Sequence, residues 1–183
     1  MTTVAKPITA EELLRMPSGL HRRELVRGEL RMMAPAGGDH GGVTNNLAFL
    51  LTAHVKSHNL GQVFAAETGF RLKQSPDTVR GADVSFIASE RIPQEGRPKG
   101  YWEIPPDLAA EVLSPGDTVQ EIEDKVDDYL SAGTRLVWVV NPKRRTVTVH
   151  RPGGSTAVLR EQDVLDGSDV VPGFGCKVAE LFV

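Results

Sequence analysis

Two carboxylates and a lysine in the middle of the chain have the types and spacing that a metal-dependent hydrolytic site requires. Asp83 lies in the apolar run 81–87, Glu111 lies in a second apolar run at 106–113, and Lys125 follows in a helical stretch. A divalent cation between Asp83 and Glu111 would be a hard ion among oxygen ligands, able to polarise a phosphate and to lower the pKa of a bound water. Lys125 could then position or activate that water and offset phosphate charge.

The segment that carries Glu111 is predicted to be a central strand. Residues 108–113 are apolar apart from Glu111, which is the pattern of a strand covered on both faces. An ionised acid buried without a partner is costly, so we expect Glu111 to pair with a metal ion or with a cation. The structural alternative is a buried ion-pair network of Asp83, Glu111 and Lys125 that contains no metal.

A helix is predicted to follow this strand and to carry Lys125. Asp117 or Thr118 can cap the helix, and Gly133 ends it. At about 100° per residue, Lys125 falls about 60° from Ile122, at the edge of the buried stripe. A lysine there can lay its stem along a sheet and project its ammonium group toward the strand ends.

The remaining elements are read from capping signals and from hydrophobic spacing. Thr9 and Glu12 form the pattern of a capping box, which predicts that a short helix begins there. Arg27 and Gly28 separate two strand-like runs, as in a tight hairpin with glycine at a position of positive φ. The other predicted elements are an amphipathic helix at 40–58, a strand at 62–72, a hairpin formed by 136–140 and 145–150, and short strands near 157–159 and 170–171.

Composition limits the class of protein. A chain of 183 residues with 40% hydrophobic content predicts a single domain over residues 1–183. The net charge of −3 argues against a protein that holds nucleic acid by charge alone. It argues less against a metal-dependent phosphodiesterase, because the metal itself attracts phosphate.

No apolar run approaches the ~20 residues of a membrane span, and the single cysteine, Cys176, is predicted to be a small buried hydrophobe. A cytoplasmic location is expected.

The chain resembles the Uma-type restriction endonuclease family, and the run around Glu111 is the most specific part of the resemblance. That run reads Pro-Asp-Leu-Ala-Ala-Glu-Val-Leu-Ser-Pro. The positions that match the family pattern are 24–30, His40, 80–84, 106–115, Lys125, Tyr129, Gly133 and 137–142. The similarity therefore extends over most of the chain.

The resemblance implies a fold, a cofactor and a set of ligands. The family belongs to the PD-(D/E)XK nuclease superfamily, whose core implies an α/β fold: a restriction-endonuclease-like mixed β-sheet flanked by helices, with additional β-hairpins. Asp83 and Glu111 match the metal-binding acids, which would hold Mg²⁺ or Mn²⁺. The chain departs from the superfamily at Leu113, where a lysine normally follows the second acid by two positions. Lys125 matches the place on the next helix that the lysine occupies in Uma-type members.

Two further residues are candidates for the same site. Glu24 matches an acid in the family's N-terminal hairpin, where it could bind a second metal or orient a water; its alternative role is an ion pair with Arg22 or Arg23. His40, at a glycine-rich helix start, could carry a proton or contact substrate. The alternative for His40 is a hydrogen bond to the backbone.

Other polar patterns are expected to be structural. His54 and His58 lie four residues apart, a spacing that can bind a metal, but no third ligand is in view and an ordinary helix surface is expected. The basic run 143–145 predicts a solvated turn rather than a DNA contact. Scattered cations could form a positive rim around the site, namely Arg71, Lys73, Arg80, Arg91, Arg97 and Lys99.

Together these features predict a metal-dependent, endonuclease-like phosphodiesterase that hydrolyses DNA. Its catalytic residues would be Asp83, Glu111, Lys125, Glu24 and His40. Cutting both strands of a duplex would favour a two-fold homodimer. The alternative is a catalytically silent module that keeps the nuclease fold for binding nucleic acid or protein.

Overall fold

The computed structural model describes residues 6–17 and 22–183, except for the side chain of Glu67. In chain order the helices and strands of these residues are α1 (Ala10–Arg15), β1 (Arg22–Val26), β2 (Glu29–Met33), α2 (Gly38–Ser57), β3 (Gly61–Lys73), β4 (Thr78–Ala88), β5 (Leu108–Val112), α3 (Val119–Ala132), β6 (Leu136–Asn141), β7 (Thr146–His150), β8 (Thr156–Arg160), β9 (Val164–Asp166) and β10 (Gly175–Lys177). Short 3-10 helices lie at Ser89–Arg91, Pro152–Gly154 and Val178–Phe182.

Eight strands form one mixed sheet. Seven of them follow the order β2-β1-β4-β5-β6-β7-β8, and β3 pairs with β4. Neighbouring strands are antiparallel except for β5 and β6, which run parallel. β9 and β10 form a separate small hairpin. This mixed sheet with helices and added hairpins confirms the predicted fold class.

The parallel pair of strands explains the position of α3. Parallel neighbours need a crossover connection, and α3 provides it between β5 and β6. Thr118 caps the helix through a capping box with Glu121, and Gly133 ends it at φ 107°. Both ends agree with the prediction. The crossover returns Lys125 over the sheet only fourteen residues after Glu111.

The two long helices cover opposite faces of the sheet. On one face, α2 contributes apolar residues at every fourth position to the largest core cluster, namely Val43, Leu47, Leu51 and Val55. On the other face, α3 contributes Val126 and Tyr129 to a second cluster. β5 supplies Leu108 and Ala110 to the first cluster and Ala109 to the second, which confirms a central strand covered on both sides. Each large apolar side chain buried in this way stabilises the fold by about 1.5–3 kcal/mol.

The first hairpin is closed by a tight turn with left-handed backbone. Arg27 has φ 51° and Gly28 has φ 80°, so both central residues have positive φ, as a two-residue hairpin turn requires. Positive φ was predicted for Gly28, but Arg27 shares it. A Cβ atom at Gly28 would lie 2.4 Å from Pro7 Cβ, so close packing also favours glycine here.

A β-bulge in β3 lies directly opposite Asp83. Ala65 pairs with Val84 and Thr68 pairs with Ala82, so residues 66 and 67 face Asp83 alone. Ala66 has φ 54°. Ala82 and Val84 flank Asp83 and would share one face of a regular strand. In β4 they lie on opposite faces, because Val84 packs in the cluster of α2 and Ala82 packs in the cluster of α3. The regular alternation of a strand is therefore shifted by one residue at Asp83.

The C-terminal part differs from the sequence prediction in one respect. Val170 and Val171 are not in a strand; they are buried in turns, where Val171 N–H donates to Gly167 O at 2.9 Å. The paired strands of this region are instead β9 and β10, whose short alternating pattern is weak in sequence.

Cys176 is buried in β10, and burial raises the pKa of its thiol to about 11. It therefore packs as a small hydrophobic residue, as predicted. In the part of the chain that the structure describes, no helix is both long and apolar enough to cross a membrane.

Candidate active site

Asp83 is held at the edge of the pairing between β4 and β5. Its Oδ2 accepts a hydrogen bond from Val112 N–H at 2.8 Å and another from His40 Nε2 at 3.1 Å. Its Oδ1 accepts from Arg22 Nη2 at 3.3 Å. Burial by itself would raise the pKa of Asp83, but the donors from His40 and Val112 outweigh burial and lower it. Asp83 is therefore a buried carboxylate that stays ionised.

Glu111 lies on the neighbouring strand with two donors of its own. Lys125 Nζ donates to Oε2 at 2.7 Å, and the Tyr129 hydroxyl donates to Oε1 at 3.0 Å. Burial raises the pKa of Glu111 to about 7; the Lys125 charge opposes this shift, and the charges of Asp83 and Glu24 add to it. Lys125 therefore offsets only part of the effect of burial and of the neighbouring acids on Glu111.

Lys125 projects from the edge of α3 toward the carboxylates, as its helical position predicted. Its side chain is 14% exposed. Burial alone would lower the pKa of the ammonium group, but the carboxylates of Glu111, Glu24 and Asp83 hold it well above the usual range. Lys125 therefore remains protonated. In this state it can donate hydrogen bonds and balance charge, but it cannot accept a proton from water.

Glu24 reaches the site from β1, although not by the ion pair considered from sequence. Its Oε2 accepts from Arg80 Nη1 at 2.9 Å, and its Oε1 accepts from Gly81 N–H at 3.0 Å. Lys125 Nζ is 3.9 Å from Oε1. Of the two arginines considered from the sequence, Arg23 donates to Pro17 O at 2.8 Å, and Arg22 donates to Asp83 Oδ1 at 3.3 Å. The observed ion-pair partner of Glu24 is Arg80 of β4.

His40 lies in the first turn of α2 and is buried. Its Nε2 contacts Asp83, and its Nδ1 is 3.5 Å from Thr44 Oγ1. The partner is thus an acid of the site rather than the backbone. The hydrogen bond to Asp83 raises the pKa of His40, against the effect of burial. A histidine in this position can hold a proton at the edge of the site.

Four residues of the site were missed as functional candidates: Arg22, Arg80, Asp128 and Tyr129. Arg80 is buried and bridges β1 to α3, since it donates to Glu24 and, through Nε and Nη2, to Asp128 Oδ2 at 2.9 and 2.7 Å. Tyr129 had a detectable signal, because a residue four positions after Lys125 lies on the same helix face. The partners of Arg22 and Arg80 are brought together by the fold alone.

The oxygen-rich donor set fits a hard divalent cation. Two buried carboxylates, Asp83 and Glu111, lie on the paired strands β4 and β5, and Mg²⁺ is commonly bound by one or two carboxylates together with waters and substrate phosphates. Among residues 6–17 and 22–183, no group of three or more histidine, cysteine or acidic side chains is arranged to hold a metal ion. A cation here would therefore depend on Asp83, Glu111 and on oxygen atoms from water or substrate.

The patterns expected to be structural lie away from this cluster. The His54 and His58 rings stack at 4.2 Å, and His54 Nε2 lies 2.9 Å from Pro172 O. Residues 143–145 are exposed in the turn between β6 and β7.

The predicted positive rim is wrong for Arg80, which is buried among acids. The charge of Arg71 is paired with acids, since Arg71 forms ion pairs with Glu11, Asp77 and Glu103.

Comparisons with known proteins agree with this fold. The family model Uma2, described as putative restriction endonuclease, matches residues 10–179. A solved structure, described as a putative nuclease belonging to DUF820 from Anabaena variabilis ATCC 29413, is similar with a TM-score of 0.85. The similarity covers 96% of this chain and 98% of that chain at 23% sequence identity, so it establishes the fold. We found no match among curated proteins.

Proposed function

We propose, from the premise that the chain belongs to the Uma2 family of putative restriction endonucleases, that it is a metal-dependent endonuclease that hydrolyses DNA phosphodiester bonds. Membership of the family by itself indicates a nuclease-like function on nucleic acid. The Mg²⁺ or Mn²⁺ dependence, the DNA substrate and the roles of individual residues go beyond the family. The metal dependence and the residue roles are supported by the contacts of Asp83 and Glu111, and the DNA substrate by the family's description as putative restriction endonuclease.

One observation carries the proposal. Asp83 and Glu111 are buried carboxylates on the paired strands β4 and β5, and Glu24 lies 3.9 Å from Lys125, the lysine that donates to Glu111. Burial raises the pKa of Glu111, the charges of Asp83 and Glu24 add to the shift, and Lys125 opposes it. A divalent cation bound by Asp83 and Glu111 would add positive charge beside Glu111 and lower its pKa.

Each residue of the site would have a separate role in the reaction. Asp83 and Glu111 would hold Mg²⁺ or Mn²⁺, which when bound polarises a phosphate and lowers the pKa of a bound water. Lys125 uses one N–H to hold Glu111, so its other donors can stabilise negative charge on the phosphate in the transition state. His40 would hold a proton close to the site, and Glu24 would fix the position of Lys125.

The proposed assembly and the order of binding follow from the number of strands to be cut and from the charge of the site. A single site of this kind cuts one strand, so cleavage of both strands of a duplex would be favoured by a two-fold homodimer. The site's acids would repel a DNA backbone without metal. We therefore propose that nucleic acid binds productively only to the metal-loaded protein, a single domain that acts in the cytoplasm.

Calorimetric titration with Mn²⁺ tests the metal site. Chelator-treated wild type is compared with Asp83→Asn, Glu111→Gln and the control Asp124→Asn, an acid of α3 that pairs with Gln120. Wild type and control should bind Mn²⁺, and the two site variants should bind at least about tenfold more weakly. Wild type should nick supercoiled plasmid with Mn²⁺ and not with chelator. Absence of Mn²⁺ binding, even with a non-cleavable oligonucleotide present, would contradict the proposal.

A metal-free ion-pair network is the second candidate. It is favoured by one observation: all four carboxylate oxygens of Asp83 and Glu111 already accept a hydrogen bond from the protein. In that case the fold would serve as a silent binding module. This alternative predicts that Mn²⁺ leaves the midpoint of thermal unfolding unchanged, whereas a metal enzyme should gain stability as the Mn²⁺ concentration rises.

A further inference from the structure

The two oxygens of Asp83 are held by partners of different strength. Oδ2 has two donors, Val112 N–H at 2.8 Å and His40 Nε2 at 3.1 Å. Oδ1 faces the Arg22 guanidinium at 3.3 Å, which is longer than the ~2.7–2.9 Å usual for a charge-assisted hydrogen bond. Oδ1 is therefore the oxygen of Asp83 that another cation can take most easily.

Arg22 is the more exposed partner of this pair. Its side chain is 18% exposed and that of Asp83 is 5% exposed. Arg22 is the first residue of β1, so its long side chain reaches Asp83 from the end of a strand. Arginine keeps its charge at any accessible pH, so only a change of partner can remove it from Oδ1.

We propose that Arg22 is the resident counter-ion of Asp83, that a divalent cation displaces it from Oδ1, and that its guanidinium then binds a phosphate of the substrate. This inference rests on the proposed function. The exchange keeps charges paired, because the metal replaces Arg22 at Asp83 and a phosphate replaces Asp83 at Arg22. The planar guanidinium matches two phosphate oxygens. Lys125 is less suited to such an exchange, since its Nζ lies 2.7 Å from Glu111 Oε2 and 3.9 Å from Glu24 Oε1.

This role predicts opposite effects on metal affinity and on turnover. Removing the Arg22 charge abolishes a competitor of the metal, so metal affinity without nucleic acid should rise. The same change removes a phosphate contact, so cleavage should become slower. A purely structural role for Arg22 would weaken metal binding and cleavage together.

The test compares Arg22→Gln and Arg22→Lys with the control Arg23→Gln. Arg23 is the next residue of β1 and donates to Pro17 O at 2.8 Å. In Mn²⁺ titrations of the chelator-treated full chain, Arg22→Gln should bind about tenfold more tightly than wild type. Arg22→Lys, which keeps the charge, and Arg23→Gln should stay within about twofold. In plasmid nicking at saturating Mn²⁺, both Arg22 variants should be slower than wild type, since lysine lacks the planar fork.

The outcomes separate this inference from the proposed function. If wild type binds Mn²⁺ and Arg22→Gln binds no more tightly, the counter-ion role is wrong and the proposed function stands. If Arg22→Gln binds more tightly but nicks as fast as wild type, the phosphate contact is wrong. If neither protein binds Mn²⁺, even with a non-cleavable oligonucleotide present, both proposals fail. Arg22→Lys decides the phosphate contact should Arg22→Gln fail to fold, because an unimpaired Arg22→Lys enzyme would contradict it.

Discussion

Lys125 Nζ lies 2.7 Å from Glu111 Oε2, and the two residues belong to consecutive elements, α3 and β5. The pair is asymmetric in charge. The charges of Glu111, Glu24 and Asp83 hold the pKa of Lys125 well above the usual range against the effect of burial, whereas burial, against the Lys125 charge, raises the pKa of Glu111 to about 7. Near neutral pH, the lysine is therefore fully charged and the glutamate is partly protonated.

The pH dependence of stability should report this asymmetry. The ordinary pKa of a glutamate is 4.5, and that of Glu111 in the folded protein is about 7. Between these values the folded state retains a proton that the unfolded state has released, so the free energy of unfolding should fall as the pH rises from 4.5 to 7. The loss from this group is at most roughly 3 kcal/mol. Urea denaturation of metal-free protein at several pH values measures it.

Glu111→Gln is the control for this slope, because glutamine does not titrate. His40 contributes with the same sign: its pKa is raised, so its stabilisation is lost as the pH rises through its folded-state value. Asp83 has a lowered pKa, so its stabilisation is already complete in this range. Some slope should therefore remain in Glu111→Gln. A wild-type stability that increases from pH 5 to pH 7 would contradict the assignment.

Lys125→Met should separate metal binding from catalysis. Methionine fills the space of the lysine stem, so the fold and Mn²⁺ binding should be kept, whereas plasmid nicking should fall by about 10²–10³-fold. Without Lys125, Glu111 loses its cation, and the variant should be less stable by about 3 kcal/mol at pH 8. The loss should be smaller at pH 5, where Glu111 can protonate. A variant that still nicks at the wild-type rate would rule out the proposed role of Lys125.

Tyr129→Phe should weaken the support of Glu111 without changing the packing. The ring is retained, and only the hydroxyl that donates to Glu111 Oε1 at 3.0 Å is removed. We expect a stability loss of about 1–3 kcal/mol at pH 8, together with a further rise in the pKa of Glu111. NMR titration of the Glu111 carboxyl carbon measures the pKa. Tyr101→Phe, whose ring packs near Gly69, is the control and should leave that pKa unchanged.

Gly28→Ala should loosen the hairpin that carries Arg22 and Glu24. Alanine is disfavoured at φ 80°, and its Cβ would lie 2.4 Å from Pro7 Cβ. The expected destabilisation is about 1–3 kcal/mol. Gly116→Ala is the matched control, because no atom lies within 4 Å of the added carbon. Thermal unfolding of both variants measures the difference, and equal midpoints would show that the turn tolerates a side chain.

Local patterns in the sequence were sufficient for the elements that carry the site. The capping box at Thr118, the terminating Gly133 and the apolar stripe of α3 determine where Lys125 lies, and all three are short-range signals. The apolar run around Glu111 likewise identifies a central strand. Such features could be predicted because they depend on neighbours within a few residues.

The partners of the charged residues could not be predicted in the same way. Arg80 and Glu24 are 56 residues apart, and Arg22 and Asp83 are 61 apart. These contacts depend on strand order and register, to which no local pattern points. For the same reason the sequence suggested Arg22 or Arg23 as the partner of Glu24, whereas the fold brings Arg80 of β4 to it.

The bulge opposite Asp83 makes the site more sensitive to changes in chain length than to changes in residue type. Deleting residue 66 or 67 would allow β3 to pair regularly with β4, and the side chains on one side of Asp83 would then have to exchange faces. Either Ala82 and Arg80 would leave α3, or Val84 and Phe86 would leave α2. We therefore expect related sequences to preserve the number of residues in β3 and to favour, at position 66, residues that accept a φ of 54°.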